Sequence, residues 1–106
     1  MNNYHTLTVG GEEHKLRLTI STTMAIEKRL GKSLYSALES INDNMIETMT
    51  VILWGALQQF NTNITFEKAA DIFDRYIDEG HSVEDMMDVL NEMFTVSGFF
   101  NKGQTG

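Results

Sequence analysis

Residues 4–20 read YHTLTVGGEEHKLRLTI, and this stretch decides the class of fold. Leu7 and Val9 alternate with Thr6 and Thr8. Leu16, Leu18 and Ile20 alternate with Arg17 and Thr19. A period of two is the mark of a half-buried strand, and Gly10-Gly11 between the two runs supplies a turn. A two-residue loop pairs Val9 with Glu12, whereas a four-residue loop pairs Val9 with His14. Either even count puts Leu7, Val9, Leu16, Leu18 and Ile20 on one face. A lone hairpin is marginal in water, so that face needs helices or another subunit's sheet against it.

Downstream of the hairpin the period changes to that of a helix. Ser21-Thr22-Thr23 offers N-caps for a short helix over Met24–Leu30, with Gly31 as its stop. Ser33 caps a second helix, Leu34–Ile41, where Leu34, Ala37, Leu38 and Ile41 keep the spacing of one face. Asn42-Asp43-Asn44 breaks that pattern and caps the longest helix, Met45–Phe60. Thr65 opens a fourth, ending near Ile77, with Phe66, Ala69, Ala70, Phe73 and Ile77 on one side. Gly80 ends it. Ser82 and Asp85 form a capping box for a fifth helix, which turns Val83, Met87, Leu90 and Phe94 inward and stops at Gly98. The expected fold is therefore mainly α with an N-terminal β-hairpin, an α+β domain over residues 1–100. Its helical bundle occupies 23–98, and a flexible tail follows over 101–106.

With 106 residues and 42% apolar content there is room for one domain with a real core. The formal charge is -7, and it is unevenly placed. Residues 1–59 hold five Lys/Arg against six Asp/Glu, and residues 60–106 hold three against nine. An acidic surface repels phosphates, so neither nucleic acid nor an anionic membrane is an expected partner. Proteins remain. There is no cysteine, which removes disulfides and thiol chemistry together. The N-terminus lacks the basic-then-apolar pattern of an export signal, and no apolar run is long enough to span a bilayer. A cytoplasmic protein is expected.

Reactive constellations are missing from the sequence. His5, His14 and His81 stand apart, and none falls in a zinc-binding spacing. Gly10-Gly11 lacks the longer glycine spacing and the Lys-Ser/Thr of a phosphate loop. Asn42-Asp43-Asn44 and the Asp71, Asp74, Asp78 row lack the twelve-residue pattern of a calcium loop. The fourth and fifth helices resemble a helix-turn-helix in outline. The would-be recognition helix nevertheless carries Glu84, Asp85, Asp88 and Glu92 and no Lys or Arg, which argues against DNA reading. No enzymatic activity, metal or cofactor is expected.

Three features point to binding. On the long helix Met45, Met49, Ile52, Leu53, Ala56 and Phe60 build an inward stripe. Trp54 falls outside that stripe, in line with Glu47, Thr50 and Gln58. It is either core covered by the hairpin or an exposed aromatic anchor. The fifth helix adds Met86, Val89, Met93 and Val96 to its inward row, and methionine-rich surfaces adapt to varied partners. Phe99-Phe100 either folds back on the core or forms an apolar clip. Trp54, Met86, Val89, Met93, Val96, Phe99 and Phe100 are accordingly the candidate partner-binding residues.

The order Gly11, His14-Lys15-Leu16-Arg17-Leu18-Thr19, Met24-Ala25-Ile26-Glu27, Leu30-Gly31-Lys32-Ser33-Leu34 resembles the opening of the tail assembly chaperones of long-tailed bacteriophages. The stretch Asp78-Glu79-Gly80 through Val96-Ser97-Gly98-Phe99-Phe100 is similar to the end of such chaperones from phages and prophages of Gram-positive bacteria. The resemblance implies a protein that coats the tape measure protein and keeps it soluble while the tail tube forms. It implies several copies per partner or a homo-oligomer, a possible longer form made by ribosomal frameshifting, and absence from the finished virion. It brings no catalytic residues. The competing readings are a structural tail or head-completion protein retained in the particle, an enzyme built on Asp and His, and an acidic antitoxin-like inhibitor.

Overall fold

The computed structural model describes residues 3–100, and the expected flexible tail over 101–106 lies outside them. The fold is α+β, a two-stranded antiparallel hairpin followed by five helices. Strands β1 (His5–Val9) and β2 (Glu12–Leu16) pair Val9 with Glu12 and His5 with Leu16, which selects the two-residue loop. Gly10 and Gly11 both have positive φ, 59° and 78°, as a tight hairpin turn between twisted strands requires. Leu7, Val9 and Leu16 are buried on the inner face.

The second strand ends sooner than its alternation suggests. After Leu16 the backbone leaves its partner: the Arg17 N–H donates to the Ala56 carbonyl and the Leu18 N–H to Ser97 Oγ. Leu18 stays buried, but Ile20 is already the first residue of α1 (Ile20–Leu30) and is 71% exposed. The cap sets this boundary. Thr19 Oγ1 accepts from the Thr22 N–H while Thr22 Oγ1 accepts from the Thr19 N–H, a reciprocal box four residues upstream of the expected start.

The second helix, α2 (Leu34–Glu39), has the expected Ser33 cap, and Glu27 Oε2 on α1 also accepts from the Leu34 N–H. A 3₁₀ turn over Ile41–Asp43 replaces the last expected turn. α3 (Met45–Gln58) begins at Asn44, whose side chain makes no capping bond. α4 (Phe66–Asp78) and α5 (Val83–Val96) carry the Thr65 and Ser82 caps, and the Ser82–Asp85 box is present in both directions.

The centre of the molecule is α3. It packs against α1, α4, α5 and β2, and from Thr48 to Leu57 only Trp54 escapes full burial. A helix enclosed all round has no polar side. Thr50 illustrates this: expected on the polar face, it is buried, and its hydroxyl donates to the Ile46 carbonyl at 2.7 Å. Phe60, expected in the inward stripe, instead lies beyond the helix end, 42% exposed, edge-on to Tyr4. A single cluster of buried side chains joins the hairpin to α1, α3, α4 and α5. No helix among the described residues is long and apolar enough to cross a membrane.

Candidate functional site

α3 and α4 run back to back, joined by a seven-residue link whose polar part is Asn61–Asn63. The N-terminal half of α3 therefore meets the C-terminal half of α4. The two do not close completely there. An open groove of about 170 Å³ lies between them and the start of α5, lined by Ile46, Thr50, Ala70, Phe73, Asp74, Ile77 and Val83. Ile46 is 54% exposed at one wall. Phe73 and Thr50, which also line it, are buried. The volume falls short of the roughly 300–1,000 Å³ of a small-molecule pocket. It suits a side chain or two from a macromolecular partner.

A second opening, about 430 Å³, lies where the chain leaves β2 and where α5 ends. Its walls are Arg17, Leu18, Thr19, Ile20, Ser97, Gly98 and Phe99. Nearby Met24 and Tyr35 are more than half exposed.

The seven candidate binding residues are distributed differently from expectation. Met86 and Met93 are completely buried and belong to the core. They are corrected from partner surface to packing. The reason is that β1 as well as α3 packs on α5, so that helix is covered by more than one element. Val89 is half-buried against the same core, and Val96 is half-buried in the last turn of α5.

Trp54 is no free anchor either. Its indole N–H donates to the Ile64 carbonyl at 3.1 Å, so the α3–α4 link covers it rather than the hairpin. The Arg29 guanidinium lies 5.5 Å from its ring and 4.0 Å from that of Phe66. A buried tryptophan needs an acceptor for its N–H, and the link supplies one. Phe99 and Phe100 fold back onto the core. Phe100 sits edge-on to Phe94 at 5.0 Å and to Tyr35 at 6.2 Å.

An enzyme built on Asp and His would need His81 beside Asp78 or Asp85 in a concave site. His81 Nδ1 does lie 3.8 Å from Asp85 Oδ2, with 43% and 49% of the two side chains exposed. Local backbone geometry explains the placement. Gly80 ends α4 in a left-handed conformation, its N–H donating to the Ile77 carbonyl while the His81 N–H donates to that of Tyr76. These are the two bonds of a Schellman motif, which brings the residue after the glycine over the last buried one. His81 accordingly stacks on Tyr76, ring centroids 4.0 Å apart. Asp85 Oδ2 is already engaged by the Ser82 N–H of the α5 cap. Burial, and then the nearby carboxylates of Asp85 and Asp88, raise the Tyr76 phenol above its ordinary value of 10.0. The cluster is the end of one helix and the beginning of the next, and neither partner is held in a cavity with the other.

With this geometry in place, comparison with known families gives one result. The model of DUF6096, a family of unknown function, matches residues 2–105. The chain belongs to that family. The match spans the hairpin, all five helices and both openings. Among curated proteins and among solved structures nothing matches the chain.

The sequence reading missed the groove because it assigned Ala70, Phe73, Ile77 and Val83 wholly to the core. A signal was present. Ala69, Ala70, Ile72, Phe73, Tyr76 and Ile77 make the apolar stripe of α4 wider than one neighbouring helix can cover. Ile46, four residues before Thr50, extends it on α3.

Proposed function

We propose that this member of DUF6096 is a non-catalytic assembly chaperone of a bacteriophage or prophage tail. It binds apolar helical segments of the tape measure protein and keeps that protein soluble until the tube closes around it. The observation that carries this reading is the groove between α3, α4 and α5, an open apolar trough with Ile46 standing exposed at its wall. A chaperone for a long amphipathic helix needs a shallow apolar seat, because such a helix docks by inserting side chains from its apolar row. The resemblance over Leu7–Ile41 and Asp78–Phe100 supplies the identity of the partner. The net charge of -7 supports the role, since like-charged copies along one chain stay apart and soluble.

In this reading the protein works in the host cytoplasm, in several copies per tape measure chain, and is left out of the virion. The binding surface is the groove, and Met86 and Met93 of α5 belong to the core. Co-expression with the tape measure protein of the same phage or prophage tests the proposal. The soluble fraction of that protein rises and the two co-purify. An unchanged soluble fraction with no co-purification removes the chaperone role.

A further inference from the structure

The charges on α4 are sorted by side. Asp74 lines the groove, with Glu67 two turns before it and Asp78 one turn after it on the same edge, and all three are exposed. The basic residues of α4 lie elsewhere. Arg75 is turned to the hairpin, so close to the turn that a Cβ on Gly10 would strike its guanidinium, and Lys68 precedes it by two turns on the same side. At the other walls, Val83 is followed by exposed Glu84 and Ile46 by exposed Glu47. None of the residues lining the groove is basic. Among the described residues none of these five carboxylates has an ion-pair partner.

An apolar trough with the unpaired Asp74 on its wall and further unpaired carboxylates next to its lining residues is complementary to one kind of helix. We infer that the groove takes an amphipathic helix whose apolar row is flanked by Lys or Arg. This specifies the partner of the site proposed above and rests on that reading. The apolar row fills the space over Phe73 and Thr50, and the flanking cations meet Asp74, Asp78 and Glu84. A helix flanked by Glu would bring like charges together at each of those positions, and the groove rejects it on that account.

Two fluorescein-labelled synthetic helices test this against the full chain by anisotropy. They share one row of leucines at i, i+4 and i+7 and differ only in flanks of Lys or of Glu. The Lys-flanked helix binds saturably, and the Glu-flanked one binds about tenfold more weakly, as two or three rim pairs would give. Added salt narrows the difference. The double substitution Asp74→Lys/Asp78→Lys reverses the preference, and Ile46→Glu weakens both helices. All three positions are exposed, and an unchanged far-UV spectrum and thermal midpoint confirm that the variants fold.

Equal binding of the two helices, a preference that the charge reversal leaves in place, or no saturable binding of either overturns the inference. A tape measure protein that co-purifies as well with the charge-reversed chain as with the native one overturns it too, while leaving the chaperone reading intact. Failure of the native chain to capture that protein is the opposite case. It removes the chaperone reading, and the two helices still decide the chemistry of the groove.

Discussion

Met86 shows how burial changes the meaning of a residue. A methionine on a partner-facing surface is replaceable at little cost to the fold. One with no exposed surface, in a helix packed on both α3 and β1, is not. Met86→Ala is expected to lower unfolding free energy by about 2–5 kcal/mol in urea titrations, the range for emptying a core site. A loss below about 0.5 kcal/mol would return Met86 to the surface. Tyr76 makes a second prediction at this scale. Its phenol is held neutral in the fold above the 10.0 of the unfolded chain, by burial first and by Asp85 and Asp88 next. The native state therefore retains a proton that the unfolded state gives up first. This contribution is whole below pH 10 and is lost as pH rises through the folded value. Thermal midpoints of the native chain should fall more steeply above pH 10 than those of Tyr76→Phe. Parallel curves would contradict the placement of the phenol. The burial of Met86 was not legible in the sequence, because β1, which packs on α5, is distant along the chain, whereas Tyr76 takes its charged neighbours from the start of the very next helix.

The elements themselves were far more legible, and the reason is local chemistry. Ser33, Thr65 and Ser82 cap their helices where the spacing puts them, and Gly80 and Gly98 end theirs. Gly10-Gly11 and the alternation of Leu7, Val9 and Leu16 place the hairpin and its inner face, and the structure selects the two-residue loop from the two registers the sequence leaves open. The misreadings arise where a tertiary contact overrides the local pattern. Ile20 alternates with Leu18 and reads as strand, but Ala56 and Ser97 draw the backbone off the sheet and Thr19 caps a helix instead. α3 reads as two-faced and is enclosed from Thr48 to Leu57, with Trp54 alone half-buried there. That enclosure depends on Gly55, which faces α1 so closely that a Cβ there would run into the Ile26 side chain. Gly55→Val should cost about 1–3 kcal/mol by overpacking the α1–α3 contact. Pairing it with Ile26→Ala, which vacates the contested space, should make the combined loss smaller than the sum of the two single losses. Strict additivity in thermal or urea unfolding would show that the two helices do not meet there.

At the scale of the whole molecule the chain sorts its charge. The hairpin, α1 and α2 are nearly neutral, and the acidic residues gather on α4 and α5, two of the three helices that form the groove. The sequence contains that asymmetry plainly. What it does not contain is the gap between α3 and α4, since Ile46 and Ile77 are thirty-one positions apart and only the packed fold brings them to one open groove. Trp54 and the α5 methionines drew attention for their residue type, whereas the groove is made of ordinary Ile, Ala, Val and Phe. Hydrogen–deuterium exchange on the complex with the co-expressed tape measure protein tests the account most directly. Protection should increase over residues 46–50, 70–77 and 83–87 on complex formation and stay level over the hairpin turn at 10–11. A complex that protects the hairpin or the α1–α2 surface and leaves those three segments exchanging as in the free chain would contradict it.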